Sequence, residues 1–232
     1  SNTPGAYMRF GDGDLNLTHC AQDQMQPPSE QLAFEMREAF ALDGDGIMVC
    51  LPLHSARFGK SPGMSPGMHE ADDATVLAWW ERAKPLLGDI DRIYSPVALH
   101  YVATFDRPRA LGFLRMLKSR NPIFVGNKDV PESTLERLFG AGARIPTPTR
   151  DAYAEIDRIE RETLAAIGQS TETRLIVLAS GCSGRVLQKR LMARGLRVFI
   201  FDFGSLLDAL AGWDTRTWIS MSGDLHTLLD EL

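Results

Sequence analysis

The chain has 232 residues, of which 44% are hydrophobic and 24% charged, with a formal net charge of -5. That length suffices for one substantial core, the composition is ordinary for a globular protein, and the mild acidity supplies no basic footprint for nucleic-acid binding. Cys20, Cys50 and Cys182 lack the paired spacings of a zinc site, and no run approaches the roughly 20 apolar residues of a bilayer span. One α/β domain spanning 1–232 in a reducing, cytoplasmic setting is therefore expected, with no transmembrane segment and no nucleic-acid partner. Ser1-Asn2 reads as an expression scar, which leaves room for a longer natural N-terminus.

The first apolar run, from Ala6, ends in Arg9-Phe10-Gly11-Asp12-Gly13-Asp14. Two carboxylates one glycine apart offer hard oxygen ligands of the kind that hold Mg²⁺ or Mn²⁺ against substrate phosphates. Gly11 and Gly13 clear side chains from that approach, and Arg9 adds a fork of donors matched to phosphate. A plain Asp/Gly turn is the competing explanation, and the chain holds its own control in Asp43-Gly44-Asp45-Gly46. That copy precedes the apolar run 47–51, so it sits where a strand begins. Asp12 and Asp14 sit where one ends, and parallel α/β sheets gather ligands at the carboxyl ends of strands.

Ser29 is an N-cap for a helix packing Leu32, Phe34, Met36 and Phe40, and Ile47 to Leu51 is a buried strand. Residues 53–69 carry Ser-Pro-Gly-Met twice in succession, which reads as a flexible loop and a candidate lid. His54, Arg57, Lys60 and His69 on or beside it read as solvated. A helix follows within 70–87, with Val76, Leu77, Trp79 and Trp80 at helical spacing. Asp91 to Pro96 suggests a strand with its loop. Val97 to Phe105 suits a helix with His100 in the core, and Arg107 to Ser119 another with Leu111, Leu114, Met116 and Leu117 inward.

Pro122 to Lys128 reads as a strand and its exit turn, which aims Asn127 and Lys128 at the acidic motif. A helix over 131–139, a short strand over 143–146, a stiff loop over 147–150 and a helix from Asp151 to about Ile167 come next. The last third is plainest: strand 174–180, the turn Gly181-Cys182-Ser183-Gly184, helix 185–194, strand 197–202. This is a right-handed βαβ unit whose glycine turn presents backbone N–H groups to an anion, although the Gly-x-Gly-x-x-Gly fingerprint is absent. Asp202-Phe203-Gly204-Ser205 leaves the last strand for a helix starting at Leu206.

Those segments resemble the GT-D class of glycosyltransferases, bacterial enzymes of Rossmann-like α/β fold. The resemblance rests on Arg9 to Asp14, on Arg144-Ile145-Pro146 to Tyr153, on the Gly181 turn with its helix, and on Phe201-Asp202-Phe203-Gly204. It implies a single mostly parallel sheet flanked by helices, and a hexosyltransferase-like enzyme using Mn²⁺ or Mg²⁺. It implies a nucleotide-sugar donor and a glycan or glycoprotein acceptor as partners. Asp12 and Asp14 fall on the metal-binding motif, where the family usually has Glu in the second place. The expected donor-binding set is Arg9, Gly11, Gly13, Asn127, Lys128, Gly181, Ser183 and Asp202. The family often carries a histidine where this chain has Ser205, so Asp208 takes the place of catalytic base.

Two rivals differ in kind. A haloacid-dehalogenase-like phosphohydrolase also places Asp-x-Asp after a first strand, but it wants Thr or Val two residues past the second Asp, where Asn16 stands. A catalytically silent nucleotide-binding module is the other. An EF-hand fails because its sixth position should be Gly and is Leu17.

Overall fold

Apolar runs too short for helices and flanked by glycine or proline become strands, and here six of them line up in parallel. The computed structural model describes residues 3–53 and 72–232, so the expected lid with His54, Arg57, Lys60 and His69 lies outside the described residues. In chain order the first elements are β1 (Gly5–Arg9), α1 (Asp12–Leu17), α2 (Glu30–Phe40), β2 (Ile47–Cys50), α3 (Asp73–Ala83), α4 (Ala98–Phe105) and α5 (Arg107–Ser119). They are followed by β3 (Ile123–Asn127), α6 (Glu132–Phe139), β4 (Arg144–Thr147) and α7 (Ile156–Ile167). The chain then forms β5 (Arg174–Ala179), α8 (Ser183–Ala193), β6 (Val198–Asp202), α9 (Leu206–Leu210), α10 (Thr217–Met221) and a final 3₁₀ segment, Leu225–Glu231.

The strands form one sheet in the order β2-β1-β6-β5-β3-β4, every neighbouring pair parallel. Successive side chains of a strand point to opposite faces, and that alternation builds two cores. Ile123, Val125, Ile176, Leu178, Val198 and Ile200 face one layer, with side chains of α1, α2, α7 and α8. Phe124, Val177 and Phe201 face the other, with α4, α5, α6, α9 and the C-terminal segment. Burial on both faces is why the strands read as unbroken apolar runs. Among the described residues, no helix is long and apolar enough to cross a membrane.

Several local expectations are corrected. The acidic motif opens a short helix, Asp12–Leu17, and is not a plain turn, because extended Gly11 caps it and Asp14 accepts the Gly11 N–H at 2.8 Å. Residues 91–96 do not form a strand. A single bridge joins Cys50 to Tyr94 beyond β2, and the chain then turns away at Pro96. Phe34 is 51% exposed and Met116 43%. Phe34 lies two residues from Leu32, which on a helix is nearly the opposite side, so Ala33, Met36 and Ala39 complete the inward face. The Ser29 cap is as expected, its side chain accepting from Leu32 N at 3.1 Å.

Candidate active site

All six strands run the same way, so their carboxyl ends share one edge of the sheet, and a cavity of about 870 Å³ opens there. Its lining takes Arg9 to Asp12 and Asp14 from the exit of β1, Pro52 beyond β2, and Asn127 from β3. Thr147 to Thr149 come from β4, Ala179 to Cys182 from β5, and Gly204 and Ser205 from β6. The early acidic motif and the glycine turn of the βαβ unit therefore share one cleft.

A chain of alternating charges underlies it. Buried Asp14 holds the Gly11 N–H with Oδ2, while its Oδ1 stands 3.5 Å from Arg185 Nε. Arg185 also pairs with buried Asp202 through Nη1. Asp202 faces Arg9 in turn, with Oδ1 3.6 Å from Arg9 Nη1, and Arg9 Nε donates to the Pro96 carbonyl. Burial pushes the Asp14 carboxyl up, with the Arg185 charge opposing it. For Arg185, burial disfavours the charged form, but Asp14 and Asp202 outweigh it and hold the guanidinium charged. Gly204 has φ +59°, and any side chain there would overlap the Arg9 guanidinium, so that glycine lets Arg9 lie across the turn.

Of the expected residues, Arg9, Gly11, Asp12, Asp14, Asn127, Gly181 and Asp208 meet around the cavity. Gly181 has φ +59° and nothing near where a Cβ would stand, so its turn leaves open space at the start of α8. The Asn127 side-chain oxygen serves its own turn, accepting from Asp129 N and Thr149 Oγ1 at 3.0 Å each. Four expected residues do not reach the cavity. Lys128 is exposed and outside the lining. Gly13 is where it is because a side chain would run into Asp23. Ser183 is buried and donates to the Ser180 carbonyl at 2.8 Å. Asp202 lies beneath the lining as the counter-ion of Arg9 and Arg185.

Asp208, on α9, also lines the cavity, its Oδ2 accepting from Thr215 Oγ1 at 2.6 Å. Burial pushes its carboxyl above the ordinary value of 3.8, against the Thr215 hydrogen bond and the Arg216 charge. Ser205 does not stand in chemically for a histidine; its Oγ accepts from Trp218 Nε1 at 3.2 Å. The Trp218 ring stacks on His100, centroids 4.2 Å apart and planes 8° from parallel. His100 is buried, as the core reading has it, yet it also lines the cavity.

Sequence reasoning missed Arg185, Trp213, Trp218, Thr215 and the 24–26 segment of the rim. A usable signal existed for Arg185. A cation in the first turn of a helix opposes the macrodipole and calls for a carboxylate nearby.

Among the described residues no group of three or more His, Cys, Asp or Glu could hold a metal. Asp12 is an exposed carboxylate on the cavity, and no ion pair engages it among the described residues. Asp14 Oδ1 is buried, with the Arg185 guanidinium beside it. Residues i and i+2 of a helix also diverge. Of the two carboxylates only Asp12 is therefore left open to a cation, which would need oxygens from a bound ligand to complete its shell.

No protein-family model matches the chain, and no curated protein does. Solved structures do match. A selenomethionine-substituted structure of domain of unknown function 1792 (DUF1792) is 20% identical, with a TM-score of 0.65, over 88% of this chain and 73% of that one. A second, described as showing that this highly conserved domain has a distinct glycosyltransferase fold, gives 20% identity and a TM-score of 0.63 over the same shares. A glycosyltransferase (DUF1792) from Streptococcus sanguinis is 22% identical, with a TM-score of 0.59, over 84% of this chain and 74% of that one. The sheet is thus that of an α/β protein of glycosyltransferase fold. The particular version is the one seen in the DUF1792 domain, and at this identity the likeness is one of fold.

Proposed function

We propose that the protein is a metal-dependent glycosyltransferase that moves a sugar from a nucleotide-sugar donor to a hydroxyl of a glycan or glycoprotein acceptor. The observation that carries this reading is the meeting of Asp12, the Gly181 turn and the Arg9–Asp202–Arg185 cluster in one cleft of that fold. Asp12 would hold Mn²⁺ or Mg²⁺, and the bound ion would supply charge stabilisation for the departing nucleoside diphosphate.

The residues of the chain do the rest. Arg9 and Arg185 offer guanidinium N–H donors to the phosphates, and preorganised donors aimed at developing charge are the most effective. Asp202 orients both guanidinium groups, and Asp14 locks Arg185 against the first turn of α1. Asp208 accepts the proton of the acceptor hydroxyl as that oxygen bonds to the anomeric carbon. The bond from the anomeric carbon to the phosphate oxygen breaks, and the nucleoside diphosphate leaves with the electron pair. The raised pKa of Asp208 suits it to this work, since a base is more effective as its pKa nears the working pH.

The test is Asp12→Ala. Because Asp12 is exposed, the variant should melt within about 1 °C of the parent, as surface substitutions alter stability by only about 0.5 kcal/mol. It should also lose Mn²⁺-dependent calorimetric binding of UDP or GDP and Mn²⁺-dependent consumption of nucleotide-sugars. Parental binding and turnover in that variant would overturn the proposal.

A further inference from the structure

The cavity volume of about 870 Å³ is near the upper end of ligand pockets, which run to roughly 1,000 Å³. Its lining is chemically mixed. One part is the charged cluster around Arg9, Asp12 and Arg185. Another, contributed by α9 and the segment after it, includes half-buried Trp213 with Asp208, Thr215 and Arg216. The stacked pair His100–Trp218 lines the cavity as well.

Hydrogen bonds tie this part of the lining together. Gly212, at φ +78°, reverses the chain after α9. The Trp213 N–H donates to the Asp208 carbonyl at 2.8 Å, and the Thr215 hydroxyl holds Asp208 Oδ2. Asp208 Oδ1 has no hydrogen bond among the described residues. An indole and a carboxylate oxygen lining one cavity match a molecule with one apolar face and an edge of hydroxyl donors. A sugar ring is such a molecule: its axial C–H bonds make the face and its hydroxyls the edge. The Asn127 amide nitrogen, at the strand end of β3, carries no hydrogen bond among the described residues and suits the edge of a nucleobase better.

We propose that Trp213, with Asp208, Thr215 and Arg216, forms the acceptor subsite. A saccharide ring lies against the indole there and turns one hydroxyl to the Asp208 carboxylate. The assignment rests on the transferase reading with Asp208 as base, and it makes Trp213 the residue that sets acceptor affinity.

Trp213→Ala and Trp213→Phe separate the possibilities. The probes are UDP and GDP with Mn²⁺ in calorimetry, and a panel of p-nitrophenyl glycosides both as acceptors and as titrants of tryptophan fluorescence on nucleotide-loaded protein. The expected result for Trp213→Ala is a rise of tenfold or more in KM for the aryl glycoside and a nucleotide Kd within threefold of the parent. Trp213→Phe should recover most of the acceptor affinity, because an aromatic face is restored. Tenfold weaker nucleotide binding in Trp213→Ala would make the indole a nucleobase platform and overturn the assignment. So would an unchanged acceptor KM. If the parent consumes no nucleotide-sugar, the transferase reading fails, and fluorescence still decides the subsite. A glycoside-induced change that Trp213→Phe abolishes supports it, and no change across the panel overturns it.

Discussion

Asp208 and Gly204 sit six and two residues past the end of β6, and each does something no neighbour could replace. Asp208 serves as base only when deprotonated. Its pKa lies above the ordinary 3.8 because of burial, so activity should rise with pH along an acid limb displaced upward from that value. Asp208→Asn should lower kcat by about 10²- to 10⁴-fold, the usual contribution of a positioned base, and remove that limb from the pH profile. Retention of the limb would assign it to another group. Gly204→Ala meets two penalties at once. A left-handed φ costs a side chain roughly 1–2 kcal/mol, and the new Cβ would overlap the Arg9 guanidinium. The melting temperature should fall by roughly 4 °C or more, and affinity for nucleoside diphosphates should fall with it as Arg9 is displaced. An unchanged melt and an unchanged calorimetric affinity would mean that Arg9 has room to move.

At the scale of elements, three helices on the same face of the sheet are joined by one buried carboxylate. Glu35 of α2 accepts from Tyr153 Oη at 2.8 Å, Lys189 Nζ at 3.1 Å and Arg190 Nε and Nη2 at 2.7 and 2.6 Å. Arg190 of α8 also reaches Asp157 and Glu160 of α7. Burial alone would raise the Glu35 pKa, but the hydrogen bonds from Arg190, Tyr153 and Lys189 prevail and hold it at about 2, below its ordinary 4.5. A carboxylate depressed in the folded state contributes stability that is complete above the unfolded pKa and disappears as pH falls through the folded one. Melting temperature should therefore decline between about pH 4.5 and pH 2. Glu35→Gln should flatten that decline and cost roughly 3 kcal/mol at neutral pH, because two cations lose a buried partner. Differential scanning calorimetry across that range checks both effects, and equal slopes in parent and variant would remove Glu35 from the acid response. The helix α1 shows the opposite balance of local and distant forces. Its composition reads as a turn, yet Gly11 and Asp14 close its first turn locally while Arg185 of α8 fixes Asp14 from far along the chain.

For the whole molecule, much of the architecture was legible because a buried parallel sheet writes itself as short apolar runs separated by helix-period segments. The βαβ unit from Arg174 to Asp202 and the placement of Asp12 above a strand end, with Asp43 at a strand start, follow from that alternation alone. The 91–96 segment was misread because apolar content does not say whether a neighbouring strand is free to pair, and only one bridge forms beyond β2. Lys128 was placed in the cleft by its position just past a strand, but that position does not fix where a long exposed side chain goes.

Local pattern by itself determined the layered α/β fold, the carboxyl-end location of the cleft and the acidic turn within it, since periodicity and turn chemistry act over a few residues. Tertiary structure decided which charges meet. Arg9 and Asp14 lie far along the chain from Arg185 and Asp202, and the four become one network only when β1, β5 and β6 are brought side by side. The same is true of the aromatic part of the cavity lining, because the energy of burying an indole or a guanidinium depends on neighbours that sequence distance does not reveal.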